Sequence, residues 1–173
     1  CGFKYIMKVL PGPDFPTGGI ICGGKGIVDA YTTGKGHLLI RGVAEIETVK
    51  GGRERIVITE IPYMVVKTAI VSRIAECVRD GLIAEISDVR DESDRKGLRI
   101  VVDIKKDAES QVALNKLYQY TALQTTFAIA NIALVNNRPE MLNIKQLLTH
   151  FIEHRKEVIR RRSKFLLKRC RNR

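Results

Sequence analysis

Residues 141–173, MLNIKQLLTHFIEHRKEVIRRRSKFLLKRCRNR, constrain this chain more than any other stretch. Phe151, Val158 and Phe165 recur every seven residues, and Ile152, Ile159 and Leu166 recur beside them. Leu147 and Leu148 extend the stripe upstream, and neither Gly nor Pro interrupts it. Such spacing predicts one long amphipathic helix with an apolar seam and a charged back. Asn143 stands where an N-cap is expected. The pattern runs to Arg173 without a Gly, Asn-Gly or Pro stop signal, and the first residue is Cys1 rather than Met. The expectation is therefore an internal piece of a larger protein.

Charge separates the helix from the rest. The net charge is +11, but residues 151–173 hold ten Lys/Arg against two Glu. Residues 1–150 hold twenty against seventeen acids, so the body is near neutral and the arm strongly basic. A basic arm faces either a nucleic acid or an acidic partner helix. The chain is long enough for one domain with a real core. No apolar run approaches the roughly 20 residues of a membrane span. The cysteines Cys1, Cys22, Cys77 and Cys170 form no C-x-x-C pair, which fits free thiols in a reducing compartment rather than zinc or disulfides.

Along the chain, a short apolar stretch at 5–10 reads as the end of an element. Pro11, Pro13 and Pro16 then make 11–19 a stiff extended boundary segment. A brief strand at 19–22 and a short helix at 27–31 flank Gly23-Gly24-Lys25-Gly26. The dinucleotide fingerprint needs a third Gly where Asp29 stands, so this is a plain tight turn. Thr32 to His37 is a second Gly-rich turn, with Lys35 followed by Gly rather than the Ser or Thr of a phosphate loop. A long strand at 38–47, a hairpin turn at Lys50-Gly51-Gly52 and a strand at 53–59 follow. Lys35, His37 and Arg41 give the first of these strands a basic edge.

A helix at 65–80 ends at Gly81 in the left-handed conformation. Lys67 lies in its first turn, where a cation opposes the helix dipole unless it meets an anion. The acidic stretch 88–95 fails the calcium-loop template, with Ser93 and Arg99 at the required Gly and Glu positions. It reads as a salt-bridged loop, with magnesium held by two carboxylates as the alternative. A strand at 98–104, a helix at 108–118 capped by Asp107, a strand at 124–135 and a turn at 136–139 lead into the arm. This order predicts an α/β fold of the α+β type: a mixed or antiparallel sheet, flanking helices and a projecting helical arm. His150 and His154 are spaced i,i+4, but no third metal ligand or hydrolytic triad stands out. On this reading the chain is a binding or structural module rather than a self-contained enzyme.

The motifs LPGPDFPTGG (10–19), YTTGKG (31–36), ITEIPY (58–63), ISDVRDESDRKGLRIV (86–101), LQTTF (123–127) and HRKEVIRRR (154–162) together resemble the A subunits of bacterial type IIA topoisomerases. They resemble that of DNA gyrase first and that of topoisomerase IV second. The resemblance implies a linker from an upstream domain at 1–18, a tower domain at 19–140 and the first part of a coiled-coil arm at 141–173. It implies a cytoplasmic protein, with no membrane. Its implied partners are double-stranded DNA and, in an A2B2 complex, the gyrase B subunit with a second copy of the A chain. In that family the tower supports bent DNA through its backbone. The nucleophilic Tyr follows an Arg in a domain that precedes the tower. No Tyr follows Arg here, and Tyr120 follows Gln119. No catalytic or metal residue is carried over, and magnesium and ATP are implied only through the B subunit. The family's basic turn T-G-R-G is present as Thr33-Gly34-Lys35-Gly36, so Lys35 is expected at DNA, with His37, Arg41 and Lys67 beside it. Without DNA contact, the alternative is a structural module whose seam of Phe151, Val158 and Phe165 packs on a returning helix.

Overall fold

The computed structural model describes residues 2–49 and 52–172. In chain order the elements are α1 (Phe3–Val9), β1 (Ile20–Cys22), α2 (Lys25–Thr33), β2 (Lys35–Arg41), β3 (Val43–Val49), β4 (Arg53–Glu60), α3 (Lys67–Arg79), β5 (Ile86–Asp91), β6 (Ile100–Ile104), α4 (Ser110–Tyr120), β7 (Gln124–Ala130), β8 (Ile132–Val135), β9 (Arg138–Met141) and α5 (Ile144–Arg171). This is a mixed α and β fold with antiparallel sheets and a long final helix. The chain divides into two compact units. One comprises Cys1–Gly12, Gly24–His37 and Ala128–Arg173, the other Pro13–Gly23 and Leu38–Phe127.

The second unit holds the packed core. Its four-stranded sheet runs β3-β4-β6-β5, each neighbour antiparallel to the next. Strands alternate their faces, so Ile56 and Ile58 of β4 join Ile100, Val102 and Ile104 of β6 on one side. Helices α3 and α4 cover that side. Helix α3 contributes Ile70, Ile74 and Cys77 at helical spacing, and α4 contributes Ala113, Leu114 and Leu117. A Schellman motif closes α3: Leu82 N donates to Cys77 O, Gly81 N donates to Val78 O, and Gly81 has φ +74°.

The opposite face of this sheet is unusual. Val57 and Val101 are paired across β4 and β6 and are both almost fully buried, apart from the main core. They share their face with a charged layer. Glu47 pairs with Arg55 and Arg99, Arg99 with Glu92, and Arg90 with Glu92, Asp88 and Asp103. The stretch expected as a salt-bridged loop is therefore half strand: Asp88 to Asp91 belong to β5.

Two strands that the sequence reads as continuous are each broken. Position 42 separates β2 from β3, and the two strands enter different sheets, β2 pairing with β1 and β3 with β4. Gly42 N donates to Leu123 O, and a Cβ at this residue would lie 2.5 Å from Glu60 O and from Leu123 Cδ1. The close approach requires glycine. Asn131 separates β7 from β8, because its backbone N donates to Gly34 O while its carbonyl accepts from Leu142 N. Helix α4 begins two residues later than expected. Ala108 N closes a turn on Lys105 O, and Glu109 rather than Asp107 takes the cap position, with no side-chain cap.

The boundary segment is held by aromatic contact. Phe15 packs against Tyr63 and Phe127 with ring centroids 5.7 and 5.1 Å apart, and Gly19 N donates to the Glu60 carboxylate. Residues 5–10, expected as the end of an element, lie in α1 except for Leu10, its C-cap. Of the expected hairpin turn, Lys50 and Gly51 lie outside the described residues. Gly52 has φ +73° and donates to Val49 O.

In the first unit, Asn136 and Asn137 both have positive φ (50° and 64°) and join β8 to β9 through a two-residue hairpin loop. Strand β9 follows the turn that the sequence showed but was not itself expected. Helix α5 starts at a full capping box, with Gln146 N bonded to Asn143 Oδ1 and Asn143 N bonded to Gln146 Oε1, each at 2.9 Å. Its 28 residues extend about 42 Å at 1.5 Å per residue. None of them is buried.

Candidate nucleic-acid interface

Arg41 is the most organised of the expected cations. It ends β2 at an exposed position. Its guanidinium lies over the Tyr118 ring, 4.9 Å from the centroid, and its Nε donates to Gln124 Oε1 at 2.5 Å. An exposed cation–π contact contributes about 0.5–1 kcal/mol, enough to select one rotamer of a flexible side chain. The Tyr118 hydroxyl donates to Gly42 O at 3.1 Å, and burial raises the phenol pKa while the facing Arg41 opposes that shift. Neither Tyr118 nor Gln124 was identified from the sequence as a site residue. They lie far from Arg41 along the chain, and of the two only Gln124 falls within a motif, LQTTF.

Lys67 is differently placed. It opens α3, which has neither an acid in its first turn nor a side-chain cap. Its Nζ sits 2.8 Å from Asp91 Oδ2 of β5. That contact and bonds from Ser93 hold the Asp91 carboxyl down at about 2. The anion that this lysine meets here is thus a carboxylate of the chain itself, which also relieves the unfavourable placement of a cation at a helix start.

Lys35 and His37 belong to the first unit. Lys35 follows Gly34, whose φ of +84° ends α2 in the left-handed region. A Cβ on Gly34 would lie 2.7 Å from Leu142 O, so the glycine of this turn is required twice over. Thr33 Oγ1 braces the turn, donating to Asp29 O and accepting from Lys35 N. Lys35 and His37 are both exposed, and Lys35 has no ion-pair partner among the described residues. The bases of α5 are equally open, with His150–Glu153 and Arg161–Glu157 as its ion pairs among the described residues. No group of three His, Cys, Asp or Glu is gathered in metal-binding geometry among the described residues. No described helix is long and apolar enough to cross a membrane.

The family model for the A subunit of DNA gyrase/topoisomerase IV matches residues 2–173. The chain belongs to that family. Within it, the DNA gyrase A subunit of Clostridium acetobutylicum is 53% identical over 95% of this chain and 20% of its own length. The DNA gyrase A subunit of Staphylococcus epidermidis is 50% identical over 97% of this chain and 19% of its own. That of Dehalogenimonas lykanthroporepellens is 50% identical over all of this chain and 22% of its own. The chain thus spans about a fifth of the length of these gyrase relatives.

Proposed function

We propose that this chain is the part of a DNA gyrase A subunit that flanks the DNA gate. On this reading residues 1–18 lead in from an upstream domain, 19–140 form the tower, and 141–173 begin the coiled-coil arm. The chain holds the backbone of a bent duplex while other parts of an A2B2 complex cut and reseal it. Magnesium and ATP act through the B subunit, and the whole assembly passes strands and introduces negative supercoils. Lys35, His37, Arg41 and Lys67 supply the backbone contacts. Lys67 must exchange Asp91 for phosphate to do so. Lys35 keeps the charge of the family's arginine but not its bidentate fork.

The observation that carries DNA contact is the guanidinium of Arg41, exposed yet held between Tyr118 and Gln124. Phosphate contact needs cations and little base readout. The test is fluorescence anisotropy of the chain with a duplex of about 30 base pairs across a salt series. Each phosphate neutralised adds roughly −0.9 to the slope of log K against log salt. A slope of about −3 or steeper supports a cationic DNA surface, reduced by Lys35→Glu and Arg41→Glu. A flat response removes this chain as an autonomous DNA binder. The exposed seam of α5 favours a second reading, a helix-pairing scaffold with no DNA contact of its own. Charge reversal that leaves DNA affinity at the wild-type value decides for that reading.

A further inference from the structure

The Arg41 cradle is built from an unusually well-fixed corner. Tyr118 comes from α4 and Gln124 from the first position of β7, and residues 121–123 join the two elements. Thr121 and Leu123 are buried. The Thr121 hydroxyl donates to Leu117 O at 2.7 Å and accepts from Leu123 N at 3.2 Å, so the corner is closed by a buried polar side chain with both partners in place. Arg73 Nε and Cys77 Sγ, both on α3, reach the Tyr120 carbonyl and fasten the corner to the packed helix layer. The same corner fixes the strand break on the other side. Leu123 O accepts from Gly42 N, and Gly42 O accepts from Tyr118.

Arg41 therefore meets a preformed surface. Its guanidinium carbon lies over the Tyr118 ring, and Nε is occupied by an amide oxygen. The two Nη groups have no hydrogen-bond partner among the described residues. A planar cation with that edge free matches the two oxygens of a phosphodiester. We propose that Tyr118 and Gln124 are positioning residues which hold Arg41 edge-on for a single backbone phosphate of duplex DNA. The inference rests on the reading of this chain as a DNA-gate element. It adds that Arg41 works through geometry as well as charge. A lysine here would lack both the planar face for Tyr118 and the Nε–H for Gln124.

The experiment is duplex binding by the 173-residue chain, read by anisotropy at fixed low salt, together with the NMR resonance of the Arg41 Nε–H. Arg41→Ala is expected to lower affinity about five- to tenfold, and Arg41→Lys nearly as much. Tyr118→Leu and Gln124→Leu each lower it about threefold, while Tyr118→Phe, which keeps the ring, stays close to wild type. In the Arg41→Ala background, the Tyr118 and Gln124 changes cost nothing further. The Nε–H resonance carries an upfield ring-current shift that Tyr118→Phe keeps and Tyr118→Leu loses. Gln124 lies on β7 rather than on α4, so Gln124→Leu tests the idea even if Tyr118→Leu unfolds.

Arg41→Ala binding weakly while Tyr118→Leu and Gln124→Leu match wild type overturns the positioning role and leaves the DNA reading intact. Additive losses in the Arg41→Ala background do the same. Wild-type affinity in Arg41→Ala overturns both claims for this residue. A wild-type chain with no salt-dependent binding removes the DNA reading itself, whatever the Nε–H resonance shows.

Discussion

The sheet β3-β4-β6-β5 and the helix α5 draw on the same kinds of apolar residue and use them in opposite ways. In the sheet, Ile56, Ile58, Ile100 and Val102 are sealed under α3 and α4. In the helix, Phe151, Ile152, Ile159, Phe165 and Leu166 each keep between 45% and 66% of their surface exposed. Periodicity identifies an apolar face but not what covers it. Burial contributes roughly 25 cal/mol per Å² of apolar surface removed from water. The sheet side chains therefore carry stability, whereas those of α5 contribute little until something packs on them.

Replacing Ile100 by Ala in the sheet should cost about 2–5 kcal/mol, and Ile159→Ala in α5 no more than about 0.5 kcal/mol, both from urea unfolding midpoints. A large cost at Ile159 breaks the contrast, because it requires a covered seam in solution. Gly42→Ala follows, at about 1–3 kcal/mol, because the new methyl group has no room beside Glu60 O and Leu123. An Asn143→Ala substitution should cost about 1 kcal/mol by removing one half of the capping box. Its effect should appear as faster amide exchange in the first turn of α5, with the sheet amides unchanged.

The smallest effect is a pH dependence in the sheet's charged face. The carboxyls of Glu47 and Asp91 lie below their ordinary range, held by Arg55 and Lys67 respectively. A depressed carboxyl stabilises the fold above its unfolded value of about 4, and that contribution is lost as pH falls through the folded value. For Asp91 the loss is complete only below about 2. Asp91→Asn should therefore flatten the acid limb of stability between about pH 4 and pH 2. An acid limb that Asp91→Asn leaves unchanged would show that the ion pair with Lys67 adds nothing to the stability of the sheet unit.

The candidate site was legible in its charges and illegible in its supports. Arg41 and Lys35 stand out as cations at the ends of a Gly-flanked strand, which is local information. That Arg41 lies on Tyr118 and Lys67 meets Asp91 depends on segments brought together from distant parts of the chain. Nothing in either neighbourhood encodes the partner. The same holds for the Val57 and Val101 pair, whose burial among charged side chains reverses what the flanking Arg and Asp residues imply.

By itself the sequence determined the elements whose signals are local. These include the N-cap of α5, the left-handed Gly81, the Asn136-Asn137 turn, and the apolar stripe of α5. Caps, turns and periodicities act within a few residues, so composition and spacing suffice. The tertiary structure alone decided where the long strands break. Gly42 and Asn131 sit inside convincing β patterns, yet their backbone groups are claimed by Leu123, Gly34 and Leu142. Each backbone N–H must find an acceptor, and which distant carbonyl receives it is fixed when the chain closes on itself.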